Sequence, residues 1–385
     1  MSALGPLSLD LNLPALPELA ADLGATESMG QLTMSACLIG LAAGQIVVGP
    51  WSDRRGRRVP LMLGLLLYTL LSLACAFAPS IEVLIALRAA QGFAGAFGIV
   101  LARAIVRDLF DGSEVARTLS LLMLVSSTAP LVAPLLGGQL LKFVDWRGVF
   151  VVLALIAVGI VALVAVSVPE SLERARRHAG GLRATVSGFG RVFADPLFTS
   201  CAVLLTLNGA GVFTYISASS FVLQQGYGLT PEQFSFVFAG NSAGIVALGY
   251  LNSILVRRFR PDTLLLVSTS IAVVGAAGCV LSAALGLGLW ALLIPLFVTV
   301  AGASVAAPNG MALALSRQSR DAGTASAVVG TGPFLAGAAL APLALVAGSS
   351  AVLMSVLILV LMATAWAAGI FGVRRAVGPG DDITG

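Results

Sequence analysis

Apolar runs of membrane-spanning length recur along the whole chain, divided by short polar stretches. They predict helices near 1–17, 29–50, 59–78, 81–107, 116–141, 146–168, 197–223, 232–255, 262–285, 287–315, 322–347 and 349–372. About 20 residues cross the hydrocarbon of a bilayer, and only a helix lets an open chain pair every backbone group there. The pattern therefore predicts an all-α membrane protein of twelve transmembrane helices, numbered here as spans 1 to 12. Span 1 is short: either the chain begins inside the membrane or its true start lies upstream.

Composition agrees with this pattern and excludes a soluble fold. Of 385 residues, 58% are hydrophobic and 10% charged, against about 25% charged in soluble domains. The longest stretch without a strong apolar run, 169–196, is 28 residues, too short to bury a core of its own. Cys37, Cys75, Cys201 and Cys279 lie far apart in apolar runs, where thiols behave as small hydrophobes; no disulfide or metal site is expected. Met1 to Leu9 lacks the basic start of a cleavable signal.

The net charge of +4 raises nucleic acid as a partner, and its distribution excludes that. The basic residues are 21 Arg and Lys142, scattered over short loops with no basic face. Alternate loops take Arg54, Arg55, Arg57 and Arg58; Arg107 and Arg117; Arg174, Arg176, Arg177, Arg183 and Arg191; Arg257, Arg258 and Arg260; Arg317 and Arg320; Arg374 and Arg375. These make 18 of the 22. The opposite loops hold Lys142 and Arg147, and the first of them is acidic, with Glu18, Asp22 and Glu27. By the positive-inside rule both termini are expected in the cytoplasm.

A displacement of 200 residues brings Gly40, Gly44 and Gly49 onto Gly240, Gly244 and Gly249, and Arg57 and Arg58 onto Arg257 and Arg258. Small residues at four-residue spacing let two helices approach closely. Six spans precede the basic linker and six follow it. The expected organisation is a six-helix bundle over 1–168, a cytoplasmic linker over 169–196, and a second six-helix bundle with a short cytoplasmic tail over 197–385. Two such parallel halves are a transporter plan, with substrate bound where repeats meet.

Few residues carry chemistry. Span 2 runs into Gly49-Pro-Trp-Ser-Asp53-Arg54-Arg55-Gly56-Arg57-Arg58-Val-Pro-Leu61. A carboxylate beside four guanidiniums in a Gly-containing turn can hold a loop rigid through charge-assisted hydrogen bonds. Topology alone would explain the arginines, but not Gly49, Asp53 and Gly56 at fixed offsets. These residues resemble the loop signature G-x-x-x-D-R-x-G-R-R-x-x-L of the major facilitator superfamily at every specified position. The resemblance implies a gate in which Asp53 faces the start of span 11, near Asp321–Gly323, and Arg57 pairs with Asp108 at the end of span 4. The second-half copy is degraded, with Ser253 for the aspartate and Phe259 breaking the glycine turn.

Span 5 contains Ala129-Pro130-Leu-Val-Ala133-Pro134-Leu-Leu-Gly137-Gly138. Its prolines and paired glycines give a kink and a close-packed face. Tight packing is one account. The spacing also resembles the antiporter motif g-x-x-x-G-P-x-x-G-G of the drug-exporting branches, with alanine at Ala129 and Ala133 where glycine is usual. Asp10-Leu-Asn12-Leu-Pro14-Ala-Leu-Pro17 resembles the D-x-Y-L-P-A-L-P of bicyclomycin-resistance (Bcr/CflA-type) transporters, with asparagine for tyrosine. Arg88-Ala-Ala-Gln91-Gly92 with Arg103-Ala-Ile-Val-Arg107-Asp108, and Phe213-Thr-Tyr215-Ile-Ser-Ala-Ser219, resemble spans 4 and 7 of that family. The resemblance runs from Ser8 to about Gly330 and says nothing of the compound carried.

An ionised residue deep in a span costs about 2.5–3.5 kcal/mol on insertion scales, so it is usually functional and paired. Asp10 lies seven residues before Pro17 and Arg88 seven after Ile81. At 1.5 Å per residue both sit about 10 Å below the outer face. They are expected to couple protons to transport; a fixed ion pair is the other account. Asn12, Gln45, Gln91, Asn208, Tyr215, Asn241 and Asn309, with Phe213, Phe221 and Phe238, are candidates to line a substrate cavity, and interhelical hydrogen bonding accounts equally for each amide.

The sequence thus reads as a twelve-helix major facilitator exporter exchanging protons for small amphipathic compounds, antibiotics among them, across a bacterial cytoplasmic membrane. It needs no cofactor beyond the proton gradient and is expected to be monomeric in lipid. The 21:1 Arg:Lys bias fits a GC-rich genome. A specific metabolite exporter or a proton-coupled uptake carrier for a sugar, nucleoside or amino acid is the alternative. A rival of another class is an intramembrane enzyme or a sensor; with no histidine in a span and no two acids in one span core, it is not expected.

Overall fold

The computed structural model describes residues 1, 4–110, 113–172, 190–318 and 322–373. Every regular element among them is a helix. Ten are long and apolar enough to cross a membrane. Spans 2 to 4 are Glu27–Arg55, Arg58–Ala76 and Ile81–Leu109; span 6 is Trp146–Ser167. Span 7 is Pro196–Phe221, and spans 8 to 12 are Pro231–Leu255, Pro261–Ala284, Leu289–Leu315, Ala322–Leu340 and Ala351–Ala368. The remaining two of the twelve are span 5, Ser113–Leu140, and an interrupted span 1.

Span 1 departs from the single helix expected over 1–17. It is α-helical at Leu4–Asp10, turns at Leu11 and Asn12, passes through one 3-10 turn at Leu13–Ala15, and resumes as Leu16–Asp22. Pro14 explains the stop: it has no N–H for the carbonyl four residues back, that of Asp10, and its ring clashes there. Pro17 repeats the effect one turn later. Irregular backbone at membrane depth is tolerated only where protein or a water-filled cavity covers it, and Leu11 to Ala15 are all buried.

Span 2 runs to Arg55 rather than stopping near 50, so Asp53 and Arg54 sit on helix and not in a loop. It starts at the Thr26 cap, whose hydroxyl accepts from Met29 N, and ends at Gly56 with φ 93°, a left-handed conformation that glycine adopts without strain.

The chain forms two compact units, Met1–Gly180 with Leu229–Ala239, and Gly181–Gly228 with Gly240–Gly385. In the first, span 2 crosses span 4 almost backbone to backbone. A Cβ on Gly40 would strike the Ala89 carbonyl, one on Gly44 the Phe93 carbonyl and Ala96, and one on Gly92 the Cys37 carbonyl. In the second unit Gly244 instead makes room for the side chains of Phe297 and Ala301. Packing contact thus recurs at one pair of the repeat, Gly44 and Gly244; Gly40 is close-packed, while its counterpart Gly240, with Gly49 and Gly249, faces open space. Outside these crossings, Val166, Val274 and Ile294 are exposed apolar side chains, as expected where lipid is the solvent.

Candidate functional site

The candidate residues of the first unit gather in two polar assemblies. The first joins the arginine-rich ends of spans 2, 3, 4 and 6. Arg57, in the one-residue link between Gly56 and span 3, is 8% exposed. Its Nη1 donates to Asp53 Oδ1 at 2.6 Å and to Ser52 Oγ at 2.7 Å, and its Nε donates to Asp108 Oδ2 at 2.8 Å. Burial alone would lower the pKa of this guanidinium. The hydrogen bonds and charges of Asp108 and Asp53 outweigh it and hold the group above its ordinary value. Ser171 Oγ donates to the same Asp108 oxygen at 3.2 Å.

Glu170, just past span 6, completes this cluster. Its Oε1 accepts from Arg57 N at 2.7 Å and its Oε2 from Arg58 N at 3.3 Å. It thereby takes up the first free amides of span 3, where the positive end of a helix favours an anion. Arg58 reaches back to the Ala165 carbonyl at 2.7 Å. Ser52, Glu170 and Ser171 were not among the residues singled out from sequence. The acid of Pro169-Glu170-Ser171, at the head of a net basic linker, is the available signal. Gly49 itself contacts nothing through a Cβ, although its carbonyl accepts from Ser52 Oγ at 2.8 Å. Asp321 lies outside the described residues.

The second assembly is deep in the span 1, 3 and 4 core. Arg88 is 0% exposed. Its Nη1 donates to Ser8 Oγ at 3.0 Å and Gln91 Oε1 at 2.6 Å, and its Nη2 to the Ser8 carbonyl at 3.1 Å. Its guanidinium lies 5.5 Å from the Phe150 ring centroid, a cation–π contact. Gln91 passes the network on to Ser72 Oγ at 2.7 Å.

Depth arithmetic put Asp10 opposite Arg88, and the structure puts Ser8 there. At 100° per residue, side chains two apart on a helix point to nearly opposite sides, so a register that gives Ser8 to Arg88 turns Asp10 away. Asp10 is 6% exposed, and among the described residues it forms no ion pair. Asn12, one turn beyond Ser8 and at the interruption, is buried with neither amide atom hydrogen-bonded.

The remaining sequence candidates divide between the units. In span 5, Gly137 packs against the Leu11 carbonyl and Pro14, and Gly138 against Ser235 and the Pro231 carbonyl, the last two in the part of span 8 that belongs to the first unit. Pro134 is buried; the side chain of Pro130 lies outside the described residues. Gln45 is half-buried. Phe238 packs near Phe234, ring centroids 6.0 Å apart. In the second unit Asn241 donates to Tyr215 Oη at 2.7 Å, and Asn208 to the Ala303 carbonyl at 3.1 Å. Phe213 stacks at a tilt on Phe334 at 5.1 Å. These amides bridge helices.

Comparison with known proteins agrees with this arrangement of helices. The family model of the Major Facilitator Superfamily matches residues 1–342. The chain belongs to the major facilitator superfamily. Within it, the chain is 36% identical to the MFS-type transporter YdgK of Bacillus subtilis over 366 residues, 94% of this chain and 90% of that one. It is 32% identical to a bicyclomycin resistance protein homolog of Haemophilus influenzae over 338 residues, 88% and 85% of the two chains. It is 30% identical to the multidrug resistance protein MdtL of Klebsiella pneumoniae over 326 residues, 84% and 81%. Among solved structures, a bacterial homolog of the human lysosomal transporter Spinster superposes with a TM-score of 0.75 at 16% identity, covering 98% and 97% of the chains. A D-xylose-proton symporter gives 0.75 at 15%, covering 97% of each. The major facilitator fold is thereby shown, and with it a multi-pass membrane transporter of small molecules.

Proposed function

We propose that the chain is a proton-coupled exporter of small amphipathic compounds, antibiotics among them, seated in a bacterial cytoplasmic membrane with both termini inside. The observation that carries the coupling is Asp10: a carboxylate buried in a span, without an ion-pair partner among the described residues, at the point where span 1 is interrupted. A charged group is expensive in such a place, and Arg88 is in the same core with only neutral hydrogen-bond partners among the described residues. Drug export is supported by relatives named for bicyclomycin and multidrug resistance.

The turn at Leu11 and Asn12 lets the Leu4–Asp10 helix rotate against the rest of span 1. Rotation exchanges Ser8 for Asp10 at Arg88. Protonated Asp10 has no call on the guanidinium, and Ser8 holds it; deprotonated Asp10 takes it back. Proton entry from outside and compound exit are then two halves of one cycle. Arg57 with Asp53 and Asp108 acts as the gate at the arginine-rich end, and the kinked, glycine-rich face of span 5 serves exchange rather than free passage.

The test is a panel of antibiotics on an exporter-deficient host expressing the chain, with and without an uncoupler. Resistance that the uncoupler abolishes is expected. Accumulation of a sugar, nucleoside or amino acid driven by the inward proton gradient, with no resistance to any compound, would replace this reading by uptake.

A further inference from the structure

Spans 8 and 10 are the second-half counterparts of spans 2 and 4, whose arginine-rich ends Arg57 and Asp108 tie together by an ion pair. Within the two helices themselves no ion pair can form between their arginine-rich ends. Span 10 contains no Asp, Glu, Lys or Arg, and the one charge in span 8, Glu232, stands at its other end. Arg257 falls 200 residues after Arg57 and is exposed. Ser253, in the aspartate's place, turns its hydroxyl back to the Tyr250 carbonyl at 2.6 Å. Asp262, the nearest acid in sequence, pairs with Arg260 at 3.2 Å.

Asn252 makes the tie instead, at the position 200 residues after Ser52. Its Oδ1 accepts from Asn309 Nδ2 at 2.8 Å, and the two residues are 6% and 2% exposed. The same Nδ2 donates to the Val305 carbonyl at 2.9 Å, so its own helix orients the amide before it reaches across. Pro308, next to it, has no N–H for the carbonyl of Ser304; span 10 is thus weakened beside the bond. Two turns along span 8, Gly244 is in close contact with Phe297 and Ala301, so the amide pair is a second point of contact between the two helices, nearer their arginine-rich ends.

We propose that Asn252 and Asn309 are positioning residues that clasp the arginine-rich ends of spans 8 and 10, a neutral counterpart of the Arg57–Asp108 lock, and set how readily that end opens during transport. The part concerning transport rests on the function proposed above; the clasp does not. Such a bond does not titrate and is little screened by salt, so the clasp is indifferent to pH. Interhelical hydrogen bonds in membranes change equilibria by about threefold on average and about eighteenfold at most.

Hydrogen exchange on the purified protein in lipid nanodiscs tests this without any substrate. In Asn252→Leu and in Asn309→Leu, amides over 249–256 and 306–313 should exchange about three to eighteen times faster than in the parent, with the rest of spans 8 and 10 unchanged. The double variant Asn252→Asp/Asn309→Asp should be protected near pH 5 and exchange faster near pH 8 after correction for intrinsic rates, because two adjacent carboxyls can share one proton but not both ionise cheaply; the parent should show no such dependence. Unchanged exchange in the leucine variants, or a double-aspartate variant as flat in pH as the parent, overturns the clasp. Should a leucine variant fail to insert, the double-aspartate profile decides alone. The uncoupler-sensitive efflux rate should change in the double-aspartate variant with the same pH dependence as exchange. A clasp seen in exchange with no compound exported by the parent removes the exporter reading and leaves the clasp standing.

Discussion

Asp53 and Asp108 hold the same guanidinium, and their surroundings predict that losing one differs in kind from losing the other. The Asp108 side chain is 16% exposed and that of Asp53 48%, against 9% for Arg57. A hydrogen bond to a charged group in a mostly buried site contributes about 1.5–3 kcal/mol, whereas half-exposed pairs contribute about 0.2–1 kcal/mol. Asp108→Asn should therefore cost about 2 kcal/mol in folding free energy, and Asp53→Asn less than about 1 kcal/mol. If Asp53 is a gate residue, export falls by far more than that small loss of stability explains: at 1.4 kcal/mol per tenfold, a stability effect of under 1 kcal/mol accounts for less than about fivefold. Both variants should be purified, their thermal unfolding followed in detergent, and efflux measured at matched membrane levels. Asp53→Asn is expected to unfold close to the parent and to lose at least tenfold in efflux rate. Loss of stability equal to that of Asp108→Asn, or export at the parental rate, refutes the gate assignment and reduces the motif to a topology signal.

Topology is open to impermeant thiol labelling, since the four native cysteines are buried: new cysteines at Ala25 and Gly228 should react in intact cells, those at Arg55 and Ser316 only after permeabilisation. The reverse pattern would invert the chain. Gly92→Val should abolish accumulation in the membrane, because its Cβ would lie on the Cys37 carbonyl and backbone cannot be repacked at the ordinary overpacking cost of about 1–3 kcal/mol; normal levels of a stable variant would contradict the crossing of spans 2 and 4. Asp10→Asn should still bind substrate, read by fluorescence quenching, and fail to pump it against a gradient. Full uncoupler-sensitive resistance in Asp10→Asn would place the proton elsewhere.

Much of the fold was legible because lipid permits one answer. Apolar length sets the number of spans, and along the sequence the arginine-bearing stretches follow spans 2, 4, 6, 8 and 10. The loop signature was legible too: Gly56 does take a left-handed φ, and Arg57 does reach Asp108 across the gap between spans 2 and 4. What escaped was set by register and by segments remote in sequence. Glu170 lies 113 residues from the amide it caps, and nothing in the periodicity of span 3 calls for it.

The first span shows the limit most clearly. Depth counting treats a helix as a uniform rod and predicts height, not azimuth, so it placed Asp10 and Arg88 at one level and left open which side chain faces the arginine. Pro14 was visible from the start, and its lack of an N–H for the Asp10 carbonyl already argued that the helix could not pass that point undisturbed. Taken together, the proline, the buried carboxylate before it and the unpaired amide of Asn12 after it mark a place where local rules are broken inside a membrane. Such conflicts between local preference and global fold concentrate where a protein moves or binds. That is the physical reason to seek the coupling machinery at residues 8–12 rather than at Asn208 and Asn241 of the second unit, each of which donates to a neighbouring helix.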